Sequence, residues 1–427
     1  MTYIVGISDH STTSDVDDAG GSRRRPSRRA LLTGGAALAV AGGAGWMLSR
    51  RHGGKPEASA PTDPPTPLRD SPAPMVPNPD SGAPKPLWSF TPDEDLVPAS
   101  TLVSNGTLFM LSSHLTAVDT ATGTVKWTGK GVNTLYTAAG AGRVFVGSFQ
   151  GATGYDAATG AETWNTVNRE SNADDLSNVY ALRADDKVLY ALADAKPNGA
   201  TTAPRPVILA FSIDTHEKLW SVPLEVGERA QYINNAVVGG NLYYTNGRCD
   251  LVARSGRDGR QLWLVETGAT DTIPPAVADG QAYCLTGTNG LRAVSLADGR
   301  RLWEAKLVDG ATGTFPPVTA ANGVVYGGNG TTAVCAWDAR TGRQIWTCPV
   351  PFRPSATEPV LVQDTLFVAG QGIEGVHAVD VKTGRLRWTF AVNTYQVTLE
   401  NRNWALATDG QRLLAKLGST VFALPPT

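Results

Sequence analysis

Residues 117 to 127 read Ala117-Val-Asp119-Thr-Ala-Thr122-Gly123-Thr-Val-Lys-Trp127, and this frame returns along the chain. It recurs as Tyr155-Asp156-Ala-Ala-Thr159-Gly160-Ala-Glu-Thr-Trp164, as Trp337-Asp338-Ala-Arg-Thr341-Gly342-Arg-Gln-Ile-Trp346 and as Val379-Asp380-Val-Lys-Thr383-Gly384-Arg-Leu-Arg-Trp388. Looser copies end at Trp220, Trp263 and Trp303, with Ser212, Ser255 and Ser295 replacing the first Asp. Gly259 and Gly299 keep the glycine of the frame, while His216 replaces it in one copy. Self-similarity at roughly 40 residues means one supersecondary unit stacked on itself, each copy too small to bury its apolar face alone.

Each copy has an alternating apolar run ending in Asp or Ser, a turn with Gly four residues before Trp, and a second run. This is a hairpin: the Asp side chain caps the turn, and Gly tolerates the positive φ of a tight connection. Upstream lie two more strands around a second turn, as in Pro316 to Ala320, then Ala321-Asn322-Gly323, then Val324 to Gly328. Four strands in about 40 residues make one propeller blade. The 46 glycines, the 11 tryptophans and the low share of charged residues agree with short strands and tight turns. The fixed distance from Gly to Trp lets each indole pack on backbone left bare in the neighbouring blade.

The motif resembles the quinoprotein-type (PQQ-like) propeller repeat, Ala-x-Asp-x-x-Thr-Gly-x-x-x-Trp, shared by quinoprotein dehydrogenases and the outer-membrane assembly lipoprotein propeller. Similar propellers also form the extracytoplasmic parts of membrane Ser/Thr kinases. Kelch and WD40 repeats fit worse, because Trp337-Asp338 is a single Trp-Asp case. Motif tryptophans at 88, 127, 164, 220, 263, 303, 346 and 388 count eight blades. Trp88 lacks a hairpin partner before it, and Gly418 to Leu424 lacks a Trp strand after it. Each end supplies what the other lacks. The expected fold is therefore an all-β, eight-bladed propeller of four-stranded antiparallel blades, over 85–427, in which the C-terminal strand pairs with the segment around Trp88 and leaves no open edge. The residues assigned to docking between blades are the eight motif tryptophans with Gly123, Gly160, Gly259, Gly299, Gly342 and Gly384.

The N-terminal part is different. Residues 1–29 form a polar tail ending in Ser27-Arg28-Arg29-Ala-Leu-Leu, which resembles a twin-arginine export signal with Arg28 and Arg29 as the pair. Residues 30–48 are an apolar Ala/Gly-rich run that would span about 28 Å as a helix, enough to cross a hydrocarbon core. Arginines cluster before it, favouring an inside N-terminus. The expectation is a membrane anchor with the propeller outside the cytoplasmic membrane, or a secreted propeller if the signal is cut. Residues 49–84 carry many prolines and read as a semi-rigid linker.

A formal net charge of -2, with no basic cluster beyond residue 55, gives no field for a phosphate backbone, so no nucleic-acid partner is expected. The five histidines show no metal-ligand spacing. Cys249, Cys284, Cys335 and Cys348 are either two disulfides or four buried thiols. Tight turns (Asn105-Gly106, Gly239-Gly240, Asp279-Gly280, Asn322-Gly323, Asp409-Gly410 and the Thr-Gly turns) share one face, and long connections such as Asn165 to Ser177 and Asp194 to Pro206 share the other. Binding residues are expected on the long-loop face and the channel mouth beside it. Two functions follow: a monomeric, non-enzymatic binding or scaffold module for a protein, peptide or envelope ligand, without a cofactor; or, as the resemblance implies, a dehydrogenase of alcohols or sugars using PQQ with calcium. The dehydrogenases resemble one another in an adjacent Cys-Cys pair, which this chain lacks. Trp404 and Glu400 are the residues that would face the channel in the second reading.

Overall fold

A computed structural model describes residues 75–426 apart from 79–81, 93–100, 113, 132–135, 150, 167–173, 198–204, 225–235, 271–272, 288–289, 307–316, 331, 373 and 394–402. Residues 1–74, with Arg28, Arg29 and the 30–48 run, lie outside the described residues. Among those described there is no helix long and apolar enough to cross a membrane.

Eight four-stranded antiparallel sheets follow one another along the chain. Blade 1 is Leu102–Ser104, Thr107–Leu111, His114–Asp119 and Val125–Gly131, and blade 7 is Val360–Val362, Thr365–Ala369, Val376–Asp380 and Arg385–Phe390. Blade 8 takes Ala405–Thr408, Leu413–Leu417 and Thr420–Leu424 from the C-terminus and Trp88–Phe90 from the other end. Trp88 pairs with Ala423 and Phe90 with Val421, which closes the ring through the last blade. The inner strands of blades 8 and 1 touch as neighbours do elsewhere in the ring.

Within a blade one cross-strand row explains the repeat. In blade 1 it runs Leu102, Phe109, Ala117, Trp127 from the inner strand outward. Its counterparts start at Ala138, Arg183, Ala236, Ala276, Thr319, Val360 and Ala407. The second member is Phe or Tyr in seven blades and Leu414 in the eighth; the third is Ala117, Gly154, Ala210, Ala253, Ala293, Ala336, Ala378 or Ala423. A small third residue lets the aromatic and the Trp approach over it, with ring centroids 5.6 to 6.2 Å apart in those seven blades. A register shift between strands three and four accompanies the Trp in blades 1 to 7, one extra residue that increases local twist.

Strand faces alternate, so each blade sends apolar residues into both flanking seams. Eight apolar clusters result, one per seam. In six seams the Trp ring lies on the turn glycine of the next blade. A Cβ on Gly123, Gly160, Gly259, Gly299, Gly342 or Gly384 would stand 2.5 to 2.9 Å from the ring of Trp88, Trp127, Trp220, Trp263, Trp303 or Trp346 respectively. Each of these indole N–H groups also donates to the carbonyl three residues before that glycine, at 2.7 to 3.0 Å. Asp caps the turns: Asp156 Oδ1 accepts from the Ala158 and Thr159 N–H groups and the Thr159 hydroxyl, which holds its carboxyl below the usual range. In the Ser255 copy the order is exchanged, and the Ser255 hydroxyl holds Asp258 down in the same way.

The seam between blades 7 and 8 lacks such a turn, because the two chain ends meet there. Here the last part of the segment assigned by sequence to the linker is built into the propeller. Asn78 N–H donates to the Ala391 carbonyl at 2.8 Å, Asn393 N–H donates to the Val76 carbonyl at 3.0 Å, and Gly82 bridges to Thr389. Met75 and Ala83 pack against the cluster that contains Trp388 and Trp404.

Candidate functional site

On the tight-turn face the strands reverse through two-residue connections, with positive φ at Asn105, Gly106, Asp279, Gly280, Asn322 and Gly323. The connections within and between blades on the opposite face contain all the undescribed stretches above residue 92. Blade 3 differs from its neighbours on this side. Its strands Asp174–Ala184, Val188–Pro197 and Arg205–Ser212 are longer than those of other blades, so parts of both predicted long loops are sheet. Pairing runs out to Asp174 with Pro197, leaving the connecting stretches as 167–173 and 198–204 rather than Asn165 to Ser177 and Asp194 to Pro206. Alternation continued into the loop is the signal that would have shown this. On the extension Asn178 Nδ2 donates to Asp194 Oδ2 at 3.2 Å, and the Tyr180 hydroxyl donates to the same oxygen.

Blade 7 carries a second ordered patch on that face. The connection from blade 6 folds back over it: Ser355 N–H donates to the Ala369 carbonyl, Gln371 N–H to the Arg353 carbonyl, and Arg353 N–H to Glu374 Oε2. The Phe352 ring lies parallel to that of His377, whose Nδ1 meets the Thr389 hydroxyl at 2.9 Å. His377 Nε2 has no partner among the described residues, and burial pushes the imidazole pKa down to about 3. A neutral, enclosed imidazole is a packing group here, and sequence gave no hint of it beyond its place in a strand.

The inner strands surround the channel. At the inner ends of the eight cross-strand rows Arg183 is the single ionisable residue. The Glu358 carboxylate, just before blade 7, favours its charged form electrostatically, and the guanidinium does the same for the carboxylate. Burial lowers the Arg183 pKa and raises that of Glu358, although Glu358 keeps contact with solvent. Protein atoms crowd the Glu358 carboxylate while part of its side chain still reaches solvent, so water cannot fully hydrate the charge.

The four cysteines are free and buried. Cys284 lies in the seam of blades 4 and 5, Cys335 in that of 5 and 6, and Cys348 in that of 6 and 7. Cys335 and Cys348 thus point to opposite faces of one blade, so the disulfide alternative fails for them on direction as well as distance between seams. Burial pushes the Cys284 thiol up to about 12. Trp404 is not in the channel. It is buried between Phe390 and Phe422 in the seam of blades 7 and 8, while Glu400 lies outside the described residues. Among the described residues no three His, Cys, Asp or Glu side chains are grouped to hold a metal. The residues described do not fit a quinone stacked between Trp404 and a cysteine pair with calcium beside it.

The family model for the outer membrane protein assembly factor BamB matches residues 78–200, 204–315 and 292–427. The chain belongs to the BamB family. Its repeat architecture is shared with BamB from Moraxella catarrhalis, at 16% identity over 80% of this chain and 99% of that one, TM-score 0.57. The computationally designed Ika8 protein is 14% identical over 80% and 100%, TM-score 0.60, and the quinohemoprotein alcohol dehydrogenase of Comamonas testosteroni is 15% identical over 80% and 76%, TM-score 0.54. At such identities the likeness concerns the fold. None of the curated proteins compared with this BamB-family chain matches it in sequence.

Proposed function

We propose that this BamB-family chain is a non-enzymatic, extracytoplasmic binding propeller whose long-loop face recognises a protein, peptide or envelope ligand, with residues 30–48 as its membrane tether. The observation that carries the reading is the division of labour between the faces. Eight seams fasten a rigid ring, the tight-turn face is closed by short turns, and the long connections gather on one side around the raised strands of blade 3. A rigid scaffold presenting loops on one face is suited to recognition. Residues 1–74, with Arg28 and Arg29 as an export signal, supply the route outward. Membership of a family described as an assembly factor supports a protein partner.

The test is crosslinking and capture from membranes with the whole chain and with a variant whose 198–204 and 225–235 connections are shortened. Loss of partners from the shortened chain is expected; identical partner sets would overturn the choice of face. The same protein incubated with PQQ and calcium should show no cofactor absorption band and no dye-linked oxidation of alcohols or sugars. Activity there would replace the binding reading with the dehydrogenase one.

A further inference from the structure

The tight-turn face is charged unevenly around the ring. From the capping Asp or Ser to the residue before Trp, the outer turns carry a net charge of 0 in blade 1, -2 in blade 2, -1 in blade 3, +1 in each of blades 4 to 6 and +2 in blade 7. Asp185 and Asp186 beside Lys187 add to the negative side at the inner turn of blade 3, while single acids, Asp279 and Asp364, reduce the positive side in blades 5 and 7. In blade 8 Asp409 and Arg412 pair at 3.1 Å and cancel. The charges that define the two sides are exposed: Glu162, Asp214 and Glu217 on one, Arg340, Arg343 and Arg385 on the other.

Equivalent positions of a closed repeat stand at one height, so these side chains lie on a flat surface and suit a flat partner. An anionic bilayer would attract blades 6 and 7 and be repelled by blades 2 and 3. A second copy of the chain matches both halves. Turned over by a two-fold axis lying in the face, it presents its blades in reverse order. With the axis running from the seam of blades 4 and 5 to that of blades 8 and 1, blade 2 meets blade 7, blade 3 meets blade 6, blade 4 meets blade 5 and blade 1 meets blade 8. Each negative blade then lies on a positive one, twice over, as an isologous contact requires. Blades 4 and 5, which meet beside the axis, each carry both signs, with Asp258 between Arg257 and Arg260 in one and Asp298 before Arg300 in the other.

The N-terminal segment agrees with this axis. Met75 packs against the cluster of blades 7 and 8, one seam from the end of the axis at blades 8 and 1. The axis therefore brings the N-terminal segments of both copies to the same edge of the pair. Two tethers leaving one edge reach one membrane, a point that rests on residues 30–48 being the tether.

We propose that the chain forms a two-fold symmetric dimer through its tight-turn face, with Asp214 and Glu217 of each copy against Arg340 and Arg343 of the other. Glu162 of each copy lies toward Arg385 of the other in the same register. The dimer takes the place of the monomer expected from sequence. Both long-loop faces point outward and stay free for a partner.

The experiment is the mass of the full chain in a neutral detergent, from light scattering with the detergent subtracted, at about 0.1 M and about 1 M salt. Two copies per particle are expected at the lower salt, with association about tenfold weaker or more at the higher. Arg340→Glu with Arg343→Glu should give single copies, and so should Asp214→Arg with Glu217→Arg; all four positions are exposed. The four substitutions in one chain, or an equal mixture of the two double variants, should restore the dimer, because each reversed patch then meets its complement. Single copies of the native chain at both salts would overturn the dimer. A dimer unmoved by either double variant would place the contact elsewhere, and loss without restoration in the fourfold variant would show that the two patches do not meet. Capture of the native chain by phosphatidylglycerol vesicles, lost with Arg340→Glu and Arg343→Glu while the mass stays that of one copy, would assign the face to a membrane instead.

Discussion

Trp164 stacks on His216 with ring centroids 5.8 Å apart, where six other seams press an indole onto bare glycine. His216 holds φ of +63°, and the carbonyl three residues earlier, on Ile213, accepts from Arg143 instead of from the indole. The Trp164 N–H is left buried with no partner among the described residues. Blade 3 therefore meets blade 2 through the least regular of the clamped seams.

His216→Gly is expected to stabilise the protein by about 1 kcal/mol, from relief of a left-handed non-glycine residue together with a recovered indole hydrogen bond, less the lost stacking. A rise in the urea midpoint without a change in slope checks it. A fall would mean that the imidazole stack outweighs both gains.

Two glycines separate backbone strain from ring contact. Gly323 (φ +74°) has open space where a Cβ would go, and Gly342 (φ +71°) would put a Cβ 2.5 Å from the Trp303 ring. Gly323→Ala should cost about 1 kcal/mol and Gly342→Ala about 3 kcal/mol or more, since only the second must also move a packed ring. Denaturant titration of the two variants measures the gap; equal losses would argue that the indole yields freely.

The segment before Trp88 is expected to hold the closing seam. A chain beginning at residue 85 loses Met75 and Ala83 from the cluster around Trp388, so it should be less stable by about 2 kcal/mol than one beginning at residue 67. Comparable urea midpoints for the two chains would show that this packing contributes nothing.

His377 makes stability depend on pH. Its folded pKa of about 3 lies below the ordinary 6.5, so between these values the unfolded chain binds the proton and the folded one does not. Its contribution is complete above pH 6.5 and is lost as pH falls toward 3, amounting to about 2 kcal/mol by pH 5. His377→Gln should flatten that part of the profile whatever it does to stability at pH 7. Urea midpoints at pH 5 and pH 7 for both proteins give the comparison, and parallel losses would assign the acid sensitivity to other groups.

Local chemistry was legible in the chain itself. Asp or Ser, Thr, Gly and Trp at fixed spacing dictate a capped turn, a positive φ and a ring to bury, and eight recurrences dictate eight blades. The closure was also legible, because Trp88 and Leu417 to Leu424 are complementary halves of one unit. Other features needed the folded molecule. That Met75 packs against the cluster of blades 7 and 8, that Trp404 belongs to their seam and that Cys284, Cys335 and Cys348 fall in three different seams all depend on how neighbouring blades pack in the folded molecule. A repeat specifies the turn and the ring that each blade offers its neighbour; only the folded molecule decides which other side chains meet across a seam.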